Sequence, residues 1–201
     1  MVVLSSMPKK NIHIIGITGM PGSGKSVFSN FARELGYEVV VMGDVVREKV
    51  REEGMEPTPE VTRAIMLKLR EKMGNTAVAQ LTYMKIENLI KKGKNKIVID
   101  GIRSQYEVEY FKEKLGNQFV IIAVHVDPSL RFKRLQARGR SDAPKTEEDF
   151  HKRDKVELKV GIGETIAYSN YILTNNGDLE EFRQNALSLL KAIEKGEMAC
   201  L

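Results

Sequence analysis

The segment ITGMPGSGKS, residues 17–26, concentrates the residue types that can hold a chain of phosphates. Gly19 and Gly24 bracket Met20, Pro21, Gly22 and Ser23, and Lys25 and Ser26 follow at once. Glycines let successive backbone N–H groups turn toward one anion, and the start of a following helix adds its positive end. The amides from about Gly22 to Ser26 are expected to converge in this way. Pro21 has no N–H, so it shapes the loop without donating. Lys25 is spaced to reach β- and γ-phosphates, and the Ser26 hydroxyl to ligate Mg2+. The run satisfies the whole Walker A pattern, with an apolar strand before it and an amphipathic helix, KSVFSNFAREL, after it. Nucleoside triphosphate binding is the inference; a glycine turn without function would not need all of these at once.

Three further clusters share that chemistry. In KIVIDGIRS an apolar strand ends in Asp100, placed to hold a water of a Mg2+ shell, and Arg103 follows with a guanidinium suited to bidentate phosphate contact. In VVVMGDVVREKV, Asp44 is a good N-cap, which puts Arg47 in the first helical turn, where an incoming anion would offset its clash with the helix dipole. In DPSLRFKRLQARGRSDAPKTEEDFHKRDKVE, Arg131, Arg134 and Arg138 fall on one helix face, Arg140 just past its end and Arg153 on the next helix. A polyphosphate would gather these cations; salt bridges to Glu147, Glu148, Asp149, Asp154 and Glu157 are the competing account. The stretch SDAPKTEED reads as a mobile polar connection, giving a short lid over about 138–155.

These residues need a scaffold. Near-continuous apolar segments at 12–17, 37–42, 96–100, 119–126 and 170–173 read as strands buried on both faces. Helical patterns fall at about 24–35, 44–53, 58–73, 76–92, 105–115, 128–138, 147–160 and 177–195, with Gly36, Gly54, Gly74, Gly93 and Gly116 where C-terminal caps are needed. The expected fold is α/β, a five-stranded parallel sheet with helices on both faces. It forms one domain over 11–196 with an acceptor-binding helical part at about 43–92, a frayed leader at 1–10 and a tail at 197–201.

Composition narrows the classes. Across 201 residues, 42% hydrophobic and 29% charged content is ordinary for a soluble domain, and no apolar run approaches the ~20 residues of a membrane helix. The start lacks a signal-peptide pattern, which argues for cytoplasm. Cys200, the only cysteine, can form neither a disulfide framework nor a zinc site within the chain. His13, His125 and His151 have no metal-ligand spacing. A net charge of +5 suits an anionic small-molecule partner or a nucleic-acid-associated ATPase, but 6% aromatic content without tryptophan offers no base-stacking platform.

Taken in order, the Walker A loop, GDVVR, DGIR, RLQARGR and Arg153 resemble the nucleoside monophosphate kinases, adenylate kinase especially. YILTNNGDLEEF is similar to both adenylate-kinase-like proteins and dephospho-coenzyme A kinases. From residue 11 onward the chain resembles uncharacterised archaeal P-loop proteins related to these two groups. The resemblance implies ATP as donor with Mg2+ and a P-loop kinase fold. It also implies that Arg47 and Arg103 grip the acceptor, with Asp44 beside them, that Arg134 stacks on the donor base, and that Arg138, Arg140 and Arg153 surround the transferring phosphoryl group. The loop with Asn175, Asn176 and Gly177 would border the adenine, Asn176 being its expected contact. Met42 replaces the threonine usual in adenylate kinases, Ile102 replaces a Phe-Pro pair, and only Gly139 separates Arg138 from Arg140, so the acceptor pocket departs from an AMP site and the lid is short. A hydroxyl acceptor, with Asp44 as general base, is the alternative enzyme reading.

Overall fold

The computed structural model describes residues 12–139 and 143–197. Arg140, Cys200, the leader and all but Glu197 of the tail lie outside the described residues. Five strands, β1 (His13–Thr18), β2 (Glu38–Val41), β3 (Lys96–Asp100), β4 (Phe119–His125) and β5 (Tyr171–Thr174), form one sheet in the order β2-β3-β1-β4-β5, every pair parallel. The helices are α1 (Lys25–Glu34), α2 (Met42–Glu52), α3 (Pro59–Met73), α4 (Ala77–Lys91), α5 (Gln105–Leu115), α6 (Pro128–Ala137), α7 (Glu147–Val160), α8 (Ile162–Ala167) and α9 (Leu179–Lys195).

The unbroken apolar strands are explained by where their side chains go. Ile14, Val40, Ile97, Ile99 and Ile121 turn to one face and pack with Val46 and Val50 of α2, Ile86 of α4, and Val108 and Phe111 of α5. Ile15, Ile17, Val98, Ile122, Val124 and Leu173 turn to the other, against Phe28 and Phe31 of α1 and Phe182, Ala186 and Leu190 of α9. Each such side chain, fully buried, contributes roughly 1.5–3 kcal/mol, so both faces of the sheet must be covered. The chain therefore leaves β1 toward one face, through α1, and leaves β3 toward the other, through α5. Where adjacent parallel strands part in this way, a crevice opens at their carboxyl ends.

Local signals account for most boundaries. Thr58, Ser104, Thr146 and Asp178 cap α3, α5, α7 and α9 with side-chain oxygens. The five glycines expected at helix ends all take positive φ. Asp44 is a correction: α2 already begins at Met42, directly off β2, with extended Val41 at the N-cap position and no side-chain cap, so Asp44 lies in the first turn and Arg47 in the second. Helix α8 was not expected; its six residues contain Gly163 and are too few to show a period. The connection read as running to Asp149 stops at Thr146, because Glu147, Glu148 and Asp149 form the acidic first turn of α7, where they complement the helix dipole. Among the described residues no helix is long and apolar enough to cross a membrane.

Candidate active site

The loop after β1 is held by contacts that admit only glycine at its ends. Gly19 has φ +141, and a Cβ there would lie 2.4 Å from the carbonyl oxygen of Val124 on β4. Gly24 has φ +103 and would meet Asn175 Nδ2 at 2.4 Å. Gly24 is also the N-cap of α1, with no side-chain cap and no acid in the first turn, so the helix start is left open to an external anion. One amide expected to face that anion is spent internally: Ser23 N–H donates to Met20 O at 3.1 Å. The donors at the helix start are then those of Gly24, Lys25 and Ser26.

Lys25 folds back across the loop, its Nζ donating to Gly19 O at 2.6 Å and Met20 O at 3.2 Å. Burial pushes its ammonium down to about 8, against the opposing pull of Asp100 and with Arg103 adding to the depression. A lysine whose ammonium is disfavoured by burial and neighbouring cations gains when a polyphosphate takes the place of the two carbonyls. Asp100 is buried at the end of β3, in register with Ile17 of β1, and its Oδ2 accepts from Ser29 Oγ at 3.0 Å. Burial holds this carboxyl above the usual range, while Lys25 and the Ser29 bond pull it back. Ser26 Oγ, one position from Lys25, accepts from Arg138 Nη2 at 3.3 Å. The Ser26 hydroxyl and the Asp100 carboxylate are hard oxygen donors on elements that meet at the crevice, a set that fits Mg2+ carried in by a nucleotide.

On one side of the loop a cleft of about 390 Å3 is lined by Gly22, Gly24, Val27, Arg134, Arg138 and Asn175, among others. Its apolar wall and guanidinium groups suit a planar base. Arg134 Nη2 donates to Asn175 Oδ1 at 3.5 Å, and its buried Nη1 has no partner among the described residues. Asn175 is the residue that reaches the loop, donating from Nδ2 to Ser23 O at 2.9 Å. Asn176, the expected contact, instead accepts from Asp127 N–H at 2.9 Å and is exposed, because β5 ends at Thr174 and the next side chain already points inward.

On the other side, Lys25, Ile102, Arg103, Glu157 and Ile162 surround a small cavity of about 20 Å3 against Gly19 and Pro21. Arg103 is aimed by its own backbone: its N–H donates to Glu107 Oε2 at 2.8 Å, and Glu107 is the fourth residue of the box opened by the Ser104 cap. Glu107 is buried, which raises its carboxyl, with the Arg103 amide the largest opposing influence. Arg103 Nη1 lies 3.4 Å from Glu157 Oε1. Arg47 donates from Nε to Asp44 Oδ1 at 3.0 Å, and Asp44 lies near enough to raise the Asp100 carboxyl.

The arginine row divides. Arg131, grouped above with the polyphosphate-binding cations, is buried and pairs bidentately with Asp154 at 3.0 and 2.6 Å, stacks over Phe150 at 4.8 Å, and donates to Pro21 O at 3.2 Å. For this residue the salt-bridged account holds, and its charge braces the loop. Arg134 and Arg138 line the larger cleft beside the loop; Arg153 is half-buried on α7, one turn before Glu157. Glu157 was expected only as a salt-bridge partner of the arginines, and Asn175 only as part of the loop bordering the base, with Asn176 the expected contact. Glu157 carried no signal beyond its helix charge pattern, whereas Asn175 was the neighbour of a named residue.

Fold and loop together define a P-loop kinase-like protein. An AAA domain description matches residues 15–155. The chain belongs to the archaeal UPF0200 family: it is 47% identical to a UPF0200 protein of Hyperthermus butylicus over 90% of this chain and 94% of that one. Among solved structures, TT1252 from Thermus thermophilus superposes with TM-score 0.66 at 22% identity, covering 92% of this chain and 98% of that one. A dephospho-CoA kinase from Campylobacter jejuni superposes with TM-score 0.57 at 17% identity, covering 91% and 98%.

Proposed function

We propose that this protein is a Mg2+-ATP-dependent phosphotransferase that passes the γ-phosphoryl group to a small anionic acceptor, a nucleotide or nucleotide-like molecule. The observation that carries the reading is the meeting of an uncapped helix start, Lys25, Ser26 and Asp100 at the crevice between β1 and β3, with arginines on both sides. The Gly24–Ser26 amides and Lys25 would neutralise the donor phosphates. Ser26, and Asp100 through water, would hold Mg2+, which when bound supplies positive charge to the donor oxygens. Arg134 and Asn175 would line the base slot. Arg138 and Arg153, with Arg140 beyond the described residues, would face the transferring group, and Arg47 and Arg103 would grip the acceptor. In-line transfer needs positioning and charge more than covalent chemistry from the protein.

Solved structures of similar fold, a shikimate kinase and a dephospho-CoA kinase among them, make the reading economical. The test is a transfer screen with γ-labelled ATP and Mg2+ against each nucleoside monophosphate and dephospho-CoA, with acceptor-free hydrolysis as background. Labelled acceptor above background, lost in Lys25→Ala, is expected. Hydrolysis unaffected by any acceptor would contradict a phosphotransferase with acceptors of this kind.

A further inference from the structure

Glu157 is the one residue around the small cavity whose charge runs against an anionic ligand. It is nine-tenths buried, on the face of α7 turned to the loop. One carboxylate oxygen, Oε1, meets Arg103 at 3.4 Å; the other, Oε2, is buried with no hydrogen-bond partner among the described residues. Buried carboxylate oxygens are nearly always satisfied, and leaving one unmet is costly. The cavity it borders, about 20 Å3 between Lys25, Ile102, Arg103 and Ile162, has room for about one water-sized group. The unmet oxygen thus sits beside the lysine that addresses the donor's terminal phosphate.

Arg103 carries Glu157 and Arg47 carries Asp44, so each acceptor-side arginine arrives with its own carboxylate. A phosphate oxygen entering as nucleophile would face Glu157 at short range in a water-poor space, where like charges repel strongly. A neutral O–H would instead donate to the waiting oxygen.

We infer that Glu157 selects the nucleophile: the acceptor presents a hydroxyl at the Lys25 end of the loop, bonded to Glu157 Oε2, and a phosphate is excluded from that position. This rests on the phosphotransferase reading and narrows it. In the step implied, the hydroxyl oxygen bonds to the γ-phosphorus of ATP while the bond from that phosphorus to the β–γ bridging oxygen breaks. ADP leaves with the bond's electron pair, and the hydroxyl proton passes to Glu157 and then to solvent as product departs. The anionic groups of such an acceptor are held away from the cavity by exchange with Asp44 on Arg47.

The test is calorimetric titration of AMP, as the monophosphate probe, into protein saturated with Mg2+ and ADP, for the native chain and for Glu157→Gln and Glu157→Ala. Far-ultraviolet circular dichroism of each variant serves as the folding control, and a non-hydrolysable ATP analogue titrated into the native chain reads the donor site. The inference expects a native-like spectrum from all three, and AMP binding tightened roughly 10- to 100-fold by either substitution as the repelling charge goes. Equal AMP affinity in all three, no AMP heat in any, or phosphoryl transfer from ATP to AMP by the native chain would overturn it. Absence of analogue binding in the native chain would overturn the phosphotransferase reading itself, a separate outcome.

Discussion

Asn175 Nδ2 donates to the carbonyl oxygen of Ser23 at 2.9 Å, tying the end of the outermost strand on the β4 side to the middle of the Gly19–Ser26 loop. The backbone of Asn175 is itself fixed, its N–H donating to His125 O at 2.9 Å. Loop geometry is therefore set partly from the far side of the sheet. Asn175→Ala leaves the Ser23 carbonyl unmet, and should cost about 1–3 kcal/mol in denaturant melts. It should also weaken ATP binding roughly tenfold, read by calorimetry. Asn176→Ala, which removes only the bond to Asp127, is expected to leave ATP affinity within roughly twofold.

The Arg131–Asp154 pair is a second brace. Both side chains are largely buried, at 5% and 15% exposure, so Asp154→Ala strands a cation that also holds Pro21. A loss of about 3–5 kcal/mol in urea unfolding is expected, accompanied by weaker ATP binding. Lys152→Ala, which breaks an exposed pair with Glu148 on the same helix, should change stability by no more than about 1 kcal/mol.

Lys25 should make nucleotide binding sensitive to pH. In the ligand-free fold it titrates at about 8, against an ordinary 10.5. Between these values the unfolded chain binds a proton that the folded chain lacks, so this group's contribution to stability rises with pH across that window and is flat below it. Binding carries the opposite sign. A triphosphate restores the ammonium, so association above about pH 8 takes up a proton and weakens as pH rises, by up to about tenfold per pH unit. Calorimetry in buffers of different ionisation enthalpy reads the uptake directly, and a pH-independent affinity between 8 and 10 would contradict it.

Lys25→Ala should remove about 3 kcal/mol of transition-state stabilisation, roughly a 100-fold loss in turnover. Unfolding midpoints should stay near the native value, because among the described residues the ammonium is hydrogen-bonded to two loop carbonyls and no side chain. Unchanged turnover in any transfer assay would move the chemistry elsewhere.

The sequence made the sheet and the loop legible because both are local in period: Ile14 and Ile15 alternate across two faces, and Gly19 to Ser26 follow one another without interruption. What stayed hidden depended on long-range packing. Arg131, Arg134 and Arg138 read alike along one helix, and only the approach of α7 with Asp154 separates the brace from the two cleft residues. Asp44 has the chemistry of a cap, but α2 continues straight from β2, which puts Val41 at the N-cap position and Asp44 inside the first turn. Glu157 sits in a run of alternating charges that reads as a solvated face, until α7 is seen to turn that one carboxylate toward Lys25.

The most direct measurement is calorimetric titration of the native chain and Lys25→Ala with Mg2+ and a non-hydrolysable ATP analogue. One saturable site in the native chain, lost or weakened at least tenfold in the variant, is the predicted result. No heat with any nucleoside triphosphate, or equal affinity in the two proteins, would contradict a phosphate-binding role for the Gly19–Ser26 loop.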